Sequence, residues 1–159
     1  MLERHDLIEA IRRKYRKVGY YVVTEVPLKG EKIKADVVAF DVNRKLIRCF
    51  KCAEDIDNEK NILKALEKLK EVANYVYYLV IPHHFYTDSL YSKLKNKNFG
   101  IYTVDDSLNV CIENHPEEEF RPKRTWVSLL ERLTKIYPNK KDALEEHFKK
   151  FCSRYGLKL

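Results

Sequence analysis

The sequence predicts an α/β fold in which one mixed sheet is flanked by helices. Three observations carry this. A helical apolar period opens the chain, three β-rich runs parted by turn residues follow, and a second helical period leads into an unbroken apolar run. With 159 residues, 45% of them hydrophobic, the chain has the size and apolar content for one core and a small appendage.

Leu7, Ile8, Ile11, Tyr15 and Val18 recur at helical spacing before Gly19, which predicts a first helix over residues 3–18. Residues 20–28, 33–41 and 45–53 are β-rich and are separated by Lys29-Gly30-Glu31-Lys32 and Val42-Asn43-Arg44, so they form an antiparallel meander. Asp57 or Asn58 then caps a helix with Ile62, Leu66, Leu69, Val72 and Ala73 on its apolar face. Residues 75–81 read as a strand buried on both faces. A loop at Pro82-His83-His84, a helix over 86–97 and strands over 99–104 and 108–112 complete a domain of residues 1–114.

Residues 115–124, opening with His115-Pro116-Glu117-Glu118-Glu119, read as a linker. Residues 125–159 read as a helical hairpin, with Trp126, Leu129, Leu130, Leu133 and Ile136 on one amphipathic stretch and Ala143, Leu144, Phe148, Phe151 and Tyr155 on the next. This hairpin either packs on the core or forms a homodimer surface.

The charge is segregated along the chain. Residues 1–120 carry 20 Lys and Arg against 20 Asp and Glu, whereas residues 121–159 carry 11 against 4 and so hold the whole net charge of +7. A neutral body with a basic end suits a polyanion, and solvation of helix faces is the competing reading. No apolar run is long enough to span a membrane, and the first residues lack signal-peptide order, so a soluble cytoplasmic protein is expected. Abundant Lys and Glu without Gln lean toward a thermophile, against which stand nine Asn.

The chemistry concentrates in the second and third strands. Asp36 interrupts an apolar strand, and Ile47, Cys49 and Lys51 alternate onto one face of the next. If that face meets Asp36, a carboxylate, a thiol and an ammonium converge at the edge of the core. Charges placed there are costly unless paired or metal-bound, so they mark either a site or a structural ion pair.

Over residues 3–82 this pattern resembles the PD-(D/E)XK nuclease superfamily, the restriction-endonuclease-like fold. The element order α-β-β-β-α-β is the family's core; Asp36 matches its first acidic motif, Cys49-Phe50-Lys51 its acidic-x-Lys motif, and Lys68 lies near a position often held by Gln. The resemblance implies Mg²⁺ or Mn²⁺ on Asp36, water positioning by Lys51, a DNA substrate and often a dimer. It also exposes a departure, because Cys49 stands where a second carboxylate is expected and a thiol is a poor ligand for hard Mg²⁺. Either another carboxylate replaces it or hydrolysis is lost and the fold is kept for binding. Among Glu9, Glu25, Asp41, Glu54 and Asp55, Glu25 on the neighbouring strand is the favoured substitute, and Glu9 is out of phase with the buried helix face.

Other signals are weaker. Cys49 and Cys52, three apart on a strand, point to opposite faces and cannot easily share zinc. The tandem His83-His84 and the distant His115 have no metal-binding spacing, and four scattered glycines make no phosphate-cradling loop. Phosphate contacts are expected from Arg12 and Arg13, from Arg121, Lys123 and Arg124, and from Lys140 and Lys141. The last two clusters sit at expected helix starts, where cations oppose the macrodipole. The expected function is nucleic-acid binding, DNA above all, on a nuclease-like core with a degenerate metal site. The alternatives are an active Mg²⁺- or Mn²⁺-dependent endonuclease with a relocated carboxylate, and a protein-interaction subunit that kept the fold.

Overall fold

The structure is a computed structural model and describes residues 1–28, 33–41, 46–72 and 76–117, with isolated positions between 135 and 153. Helix α1 (Arg4–Lys17) forms where Leu7, Ile8, Ile11 and Tyr15 share one side, and all four are buried. Glu3 N–H donates to Asp6 Oδ2 at 2.8 Å at its start, and Gly19 ends it in the left-handed region at φ 84°.

Strands β1 (Tyr21–Leu28), β2 (Ile33–Asp41) and β3 (Leu46–Cys52) make the expected antiparallel meander. Helix α2 (Glu59–Val72) returns the chain so that β4 (Val76–Pro82) lies parallel to β3. Helix α3 (Asp88–Asn96) does the same for β5 (Gly100–Val104), and β6 (Val110–Asn114) pairs antiparallel with β5. The result is one six-stranded mixed sheet in the order β1-β2-β3-β4-β5-β6. Every residue of β4 is buried, as its unbroken apolar run predicts.

Two core layers follow from strand alternation. On one face, Val22, Val37, Ala39, Phe50, Tyr78 and Tyr102 meet α1. On the other, Val38, Phe40, Ile47, Cys49 and Leu79 meet Leu66 and Leu69 of α2 and Leu90 and Leu94 of α3.

Most boundaries shift by a residue, and two element starts shift by two, each for a local reason. Helix α3 starts at Asp88 rather than at residue 86 because Thr87 Oγ1 accepts from Leu90 N–H at 3.1 Å, and His83–Phe85 form a short 3-10 turn before it. The last strand begins at Val110 because Asp105 Oδ1 accepts from the N–H groups of Ser107 and Asn109, each at 2.9 Å, and holds residues 105–109 in a turn. Most of the expected linker and helical hairpin lies outside the described residues; Pro138–Lys140 form a short 3-10 turn there. Among the described residues no helix is long and apolar enough to cross a membrane.

Between α1 and the sheet lies an aromatic layer. The rings of Phe50 and Tyr78 stack at 5.0 Å, Tyr102 meets Tyr78 edge-on at 4.7 Å, and the Tyr15 and Tyr102 hydroxyls hydrogen-bond. Burial pushes the Tyr15 phenol up to about 12 and those of Tyr78 and Tyr102 higher still.

Each of these phenols keeps its proton in the fold at a pH where the unfolded chain releases it. Their contribution is full below the ordinary value of 10.0 and is lost as pH rises toward 12 and beyond. The unfolding free energy from urea denaturation, taken upward from about pH 9, should fall by up to about 1.4 kcal/mol per pH unit per tyrosine, and less steeply for Tyr102→Phe. Packing at the same layer sets a second expectation. A Cβ on Gly100 would lie 2.3 Å from the Tyr78 ring and 2.7 Å from Pro116 Cδ, so Gly100→Ala should cost about 1–3 kcal/mol in chemical denaturation.

Candidate functional site

Asp36 sits where β2 and β3 part company. Their pairing runs from Asp41↔Leu46 to Val37↔Phe50 and stops, while β3 continues alongside β4 through Cys52↔Val80 and Ala53 N–H donating to Val80 O at 2.9 Å. The carboxylate of Asp36 fills the resulting fork. Its Oδ2 accepts from Cys52 N–H at 2.6 Å, taking the place of a strand carbonyl.

The neighbouring strand is disturbed at the same level. Thr24↔Val37 and Val26↔Ala35 pair around Glu25 and Asp36, which face each other without a ladder pair, and Glu25 adopts φ 54°. A left-handed glutamate inside a strand costs on the order of 1 kcal/mol or more. Facing changes here as well: Ala35 and Val38 belong to the α2–α3 layer while Val37 and Ala39 belong to the α1 layer, so the alternation of β2 breaks at Asp36.

Three charged side chains close over the carboxylate. Arg4, the first residue of α1, directs Nη2 to Asp36 Oδ1 and also to Glu25 Oε1 at 2.9 Å and Oε2 at 3.0 Å. Lys51 Nζ lies 3.6 Å from Asp36 Oδ2. Asp36 is 1% exposed, against 37% for the Arg4 side chain and 28% for Lys51, so the two cations paired with the buried acid still reach solvent. The hydrogen bond to Glu25 first, and then the proximity of Asp36, raise the Arg4 guanidinium above its ordinary value, and partial burial opposes them. Two carboxylates against a guanidinium and an ammonium leave the cluster electrically neutral.

Of the residues singled out in the sequence, Asp36, Lys51 and Glu25 come together and Cys49 does not. Cys49 is fully buried in the α2–α3 layer, where burial alone pushes its thiol up. The thiol near the carboxylate is that of Cys52, in the α1 layer, pushed up by burial and then by the negative charge of Asp36. The expected convergence of Asp36, Cys49 and Lys51 on one face is therefore corrected: Asp36 turns into the plane of the sheet, and Cys49, two residues before Lys51, is packed beneath it. Arg12 and Arg13 both approach Glu9, at 3.5 Å and 3.3 Å, and as surface pairs these contribute little. Arg121, Lys123, Arg124 and Lys141 lie outside the described residues, and Lys140 ends the turn at 138–140.

Arg4 was missed in the sequence, although a signal was present. The rest of α1 obeys its dipole, with Asp6 in the first turn and Lys14, Arg16 and Lys17 in the last, so a cation at the first position is out of place unless something else holds it.

This arrangement does not suit a divalent cation. The two carboxylates do converge on one positive centre, but that centre is the chain's own Nη2. Both Asp36 oxygens already have protein donors, and among the described residues no three His, Cys, Asp or Glu side chains could hold a metal. The cluster occupies the β2–β3 fork, with the Arg4 and Lys51 side chains partly exposed beside it.

Coupling between Arg4 and Asp36 should be measurable. Arg4→Ala should cost about 1–3 kcal/mol, below the usual figure for a broken buried pair because Arg4 is partly exposed and Lys51 remains. Once Asp36→Ala is in place, adding Arg4→Ala should cost at least 1 kcal/mol less than it does alone. Strict additivity in urea denaturation would show that the two side chains do not depend on each other.

Comparisons place the chain by shape only. No family model matches it, and no curated protein does. A solved structure, the SPO1766 protein of unknown function from Silicibacter pomeroyi, superposes with a TM-score of 0.64 at 19% identity, covering 91% of this chain and 92% of that one. At that identity the likeness is one of fold: this chain is an α/β protein with a six-stranded mixed sheet between α1 and the α2–α3 pair.

Proposed function

We propose that this chain is a nucleic-acid-binding protein, with DNA as its main ligand, on a PD-(D/E)XK-like core whose metal site has become a structural ion cluster. The observation that supports this best is the saturation of Asp36 by Arg4, Cys52 N–H and Lys51 within hydrogen-bonding or ion-pair distance. Phosphodiester hydrolysis in such a fold needs a Lewis acid on the phosphate and an activated water in line with the leaving group. Here the acid is neutralised by the chain itself, and the adjoining acidic position is the buried thiol of Cys49. The remaining asset is electrostatic: the basic segment beyond residue 120.

An active endonuclease is the second reading, favoured by one observation. Glu25 and Asp36 point at the same nitrogen, so a displaced Arg4 would leave two carboxylates facing one position.

Two measurements on the full chain test these readings. Anisotropy of labelled duplex DNA should show binding that weakens about 100-fold between 50 and 200 mM salt, the loss expected for about four phosphate contacts. Failure to bind at low salt would favour the protein-interaction subunit. Supercoiled plasmid incubated with Mn²⁺ should remain intact, and nicking by the wild type that Asp36→Ala abolishes would replace the degenerate site with a working one.

A further inference from the structure

The second half of α1 is a run of cations, with Arg12, Arg13, Lys14, Arg16 and Lys17 at five of six positions. Arg13, Lys14 and Lys17 lie three, four and seven residues beyond Ala10, so the four share one side of the helix. Like charges at these spacings repel. Glu9 is the acid that meets the run, and it approaches Arg12 and Arg13 as a weak surface pair. Neither Lys14 nor Lys17 has an ion-pair partner among the described residues.

A second wall stands opposite that side. The turn between β5 and β6 brings Ser107, Leu108 and Asn109 across from α1, and together they line an open groove of about 460 Å³ in which the small side chain of Ala10 leaves room. No carboxylate is among its described lining residues. Asp105 spends both oxygens inside the turn, on the Ser107 and Asn109 N–H groups and on Asn109 Nδ2 at 3.2 Å, and the exposed Asp106 lies outside the lining. Leu108 fixes the wall. It adopts φ 64°, a left-handed conformation that leucine disfavours, while packing on the α1 core layer and donating its N–H to Asp105 O at 2.9 Å. Ser107 is exposed, and its hydroxyl has no hydrogen-bond partner among the described residues.

The helix macrodipole rewards cations near a C-terminus, but it does so all round the last turn. Three of the five cations stand on the one side where an uncharged wall faces them. Arg13 and Lys17 are about 6 Å apart along the helix axis, so the row is long for one compact anion. A nucleic-acid strand offers a phosphate about every 3.4 Å of its axis and meets such a row at about two points. A lipid surface fits less well, because a flat layer of headgroups reaches cations that protrude, and these line a groove with a second wall.

We infer that the groove between α1 and the β5–β6 turn holds the phosphate backbone of a nucleic-acid strand, with Arg13, Lys14 and Lys17 as its contacts. The identity of the polyanion rests on the nucleic-acid reading above; the place and the sign of the ligand rest on the groove itself.

Anisotropy of labelled duplex DNA on the full chain separates this groove from net charge alone. Lys14→Ala/Lys17→Ala should lose about tenfold in affinity between 50 and 200 mM salt, against about 100-fold for the wild type, because about two phosphate contacts are gone. Lys60→Ala/Lys64→Ala, the same change of charge at exposed positions of α2 on the other face of the sheet, should keep the wild-type salt dependence. Ser107→Glu, which puts a carboxylate on the far wall, should weaken binding about tenfold at 50 mM salt with the circular dichroism spectrum unchanged. Equal salt dependence in the two double variants would overturn the groove and keep the nucleic-acid reading. No DNA binding by the wild type at 50 mM salt would remove that reading and this inference with it. Binding to phosphatidylserine vesicles that falls in Lys14→Ala/Lys17→Ala, without DNA binding, would give the groove to a membrane surface instead.

Discussion

The carboxylate of Asp36 in the fork between β2 and β3 is the constraint on which the candidate site depends. A buried acid must find partners, and this one takes two hydrogen-bond donors, a backbone N–H of β3 and the guanidinium of α1, and an ion pair with the ammonium of Lys51 near the end of β3. The consequences spread outward. Alternation breaks in β2, Glu25 accepts a left-handed backbone, and the first residue of α1 is tied to the sheet against its own helix dipole. Local strain and local electrostatic cost coincide at one point, as they do where a fold maintains a site.

That point differs chemically from a working metal centre. In a hydrolytic site the acid is held in reserve for a cation from solution, whereas here the cation is covalently part of the chain. Arg4 brings one charge where a divalent ion would bring two, and it offers no exchangeable position for water. Both oxygens of Asp36 are thereby engaged by the chain's own donors.

How much of this was legible in the sequence depended on how local the cause was. Apolar periodicity placed α1, the three-stranded meander, α2 and β4 within a residue or two, because period and turn chemistry are written along the chain. Helix α3 and β6 were misplaced at their starts, where the side chains of Thr87 and Asp105 competed for backbone N–H groups. A charge inside an apolar strand drew attention to Asp36 and Lys51, which the fold brings to 3.6 Å of each other. The same criterion applied to Arg48, in the same strand as Lys51, and was not followed there.

Composition and order alone determined the α/β class, the succession of elements, the unusual place of Asp36 and the segregation of positive charge, since each depends on residues near one another in sequence. Only the folded chain decided which charges meet. Arg4 reaches Asp36 across 32 positions and Tyr102 reaches Tyr15 across 87, contacts set by how α1 crosses the sheet. The fate of Cys49 was likewise tertiary. Alternation gave it the face of Lys51, but the fork turned Asp36 into the sheet plane, and a carboxylate moves to where its donors are.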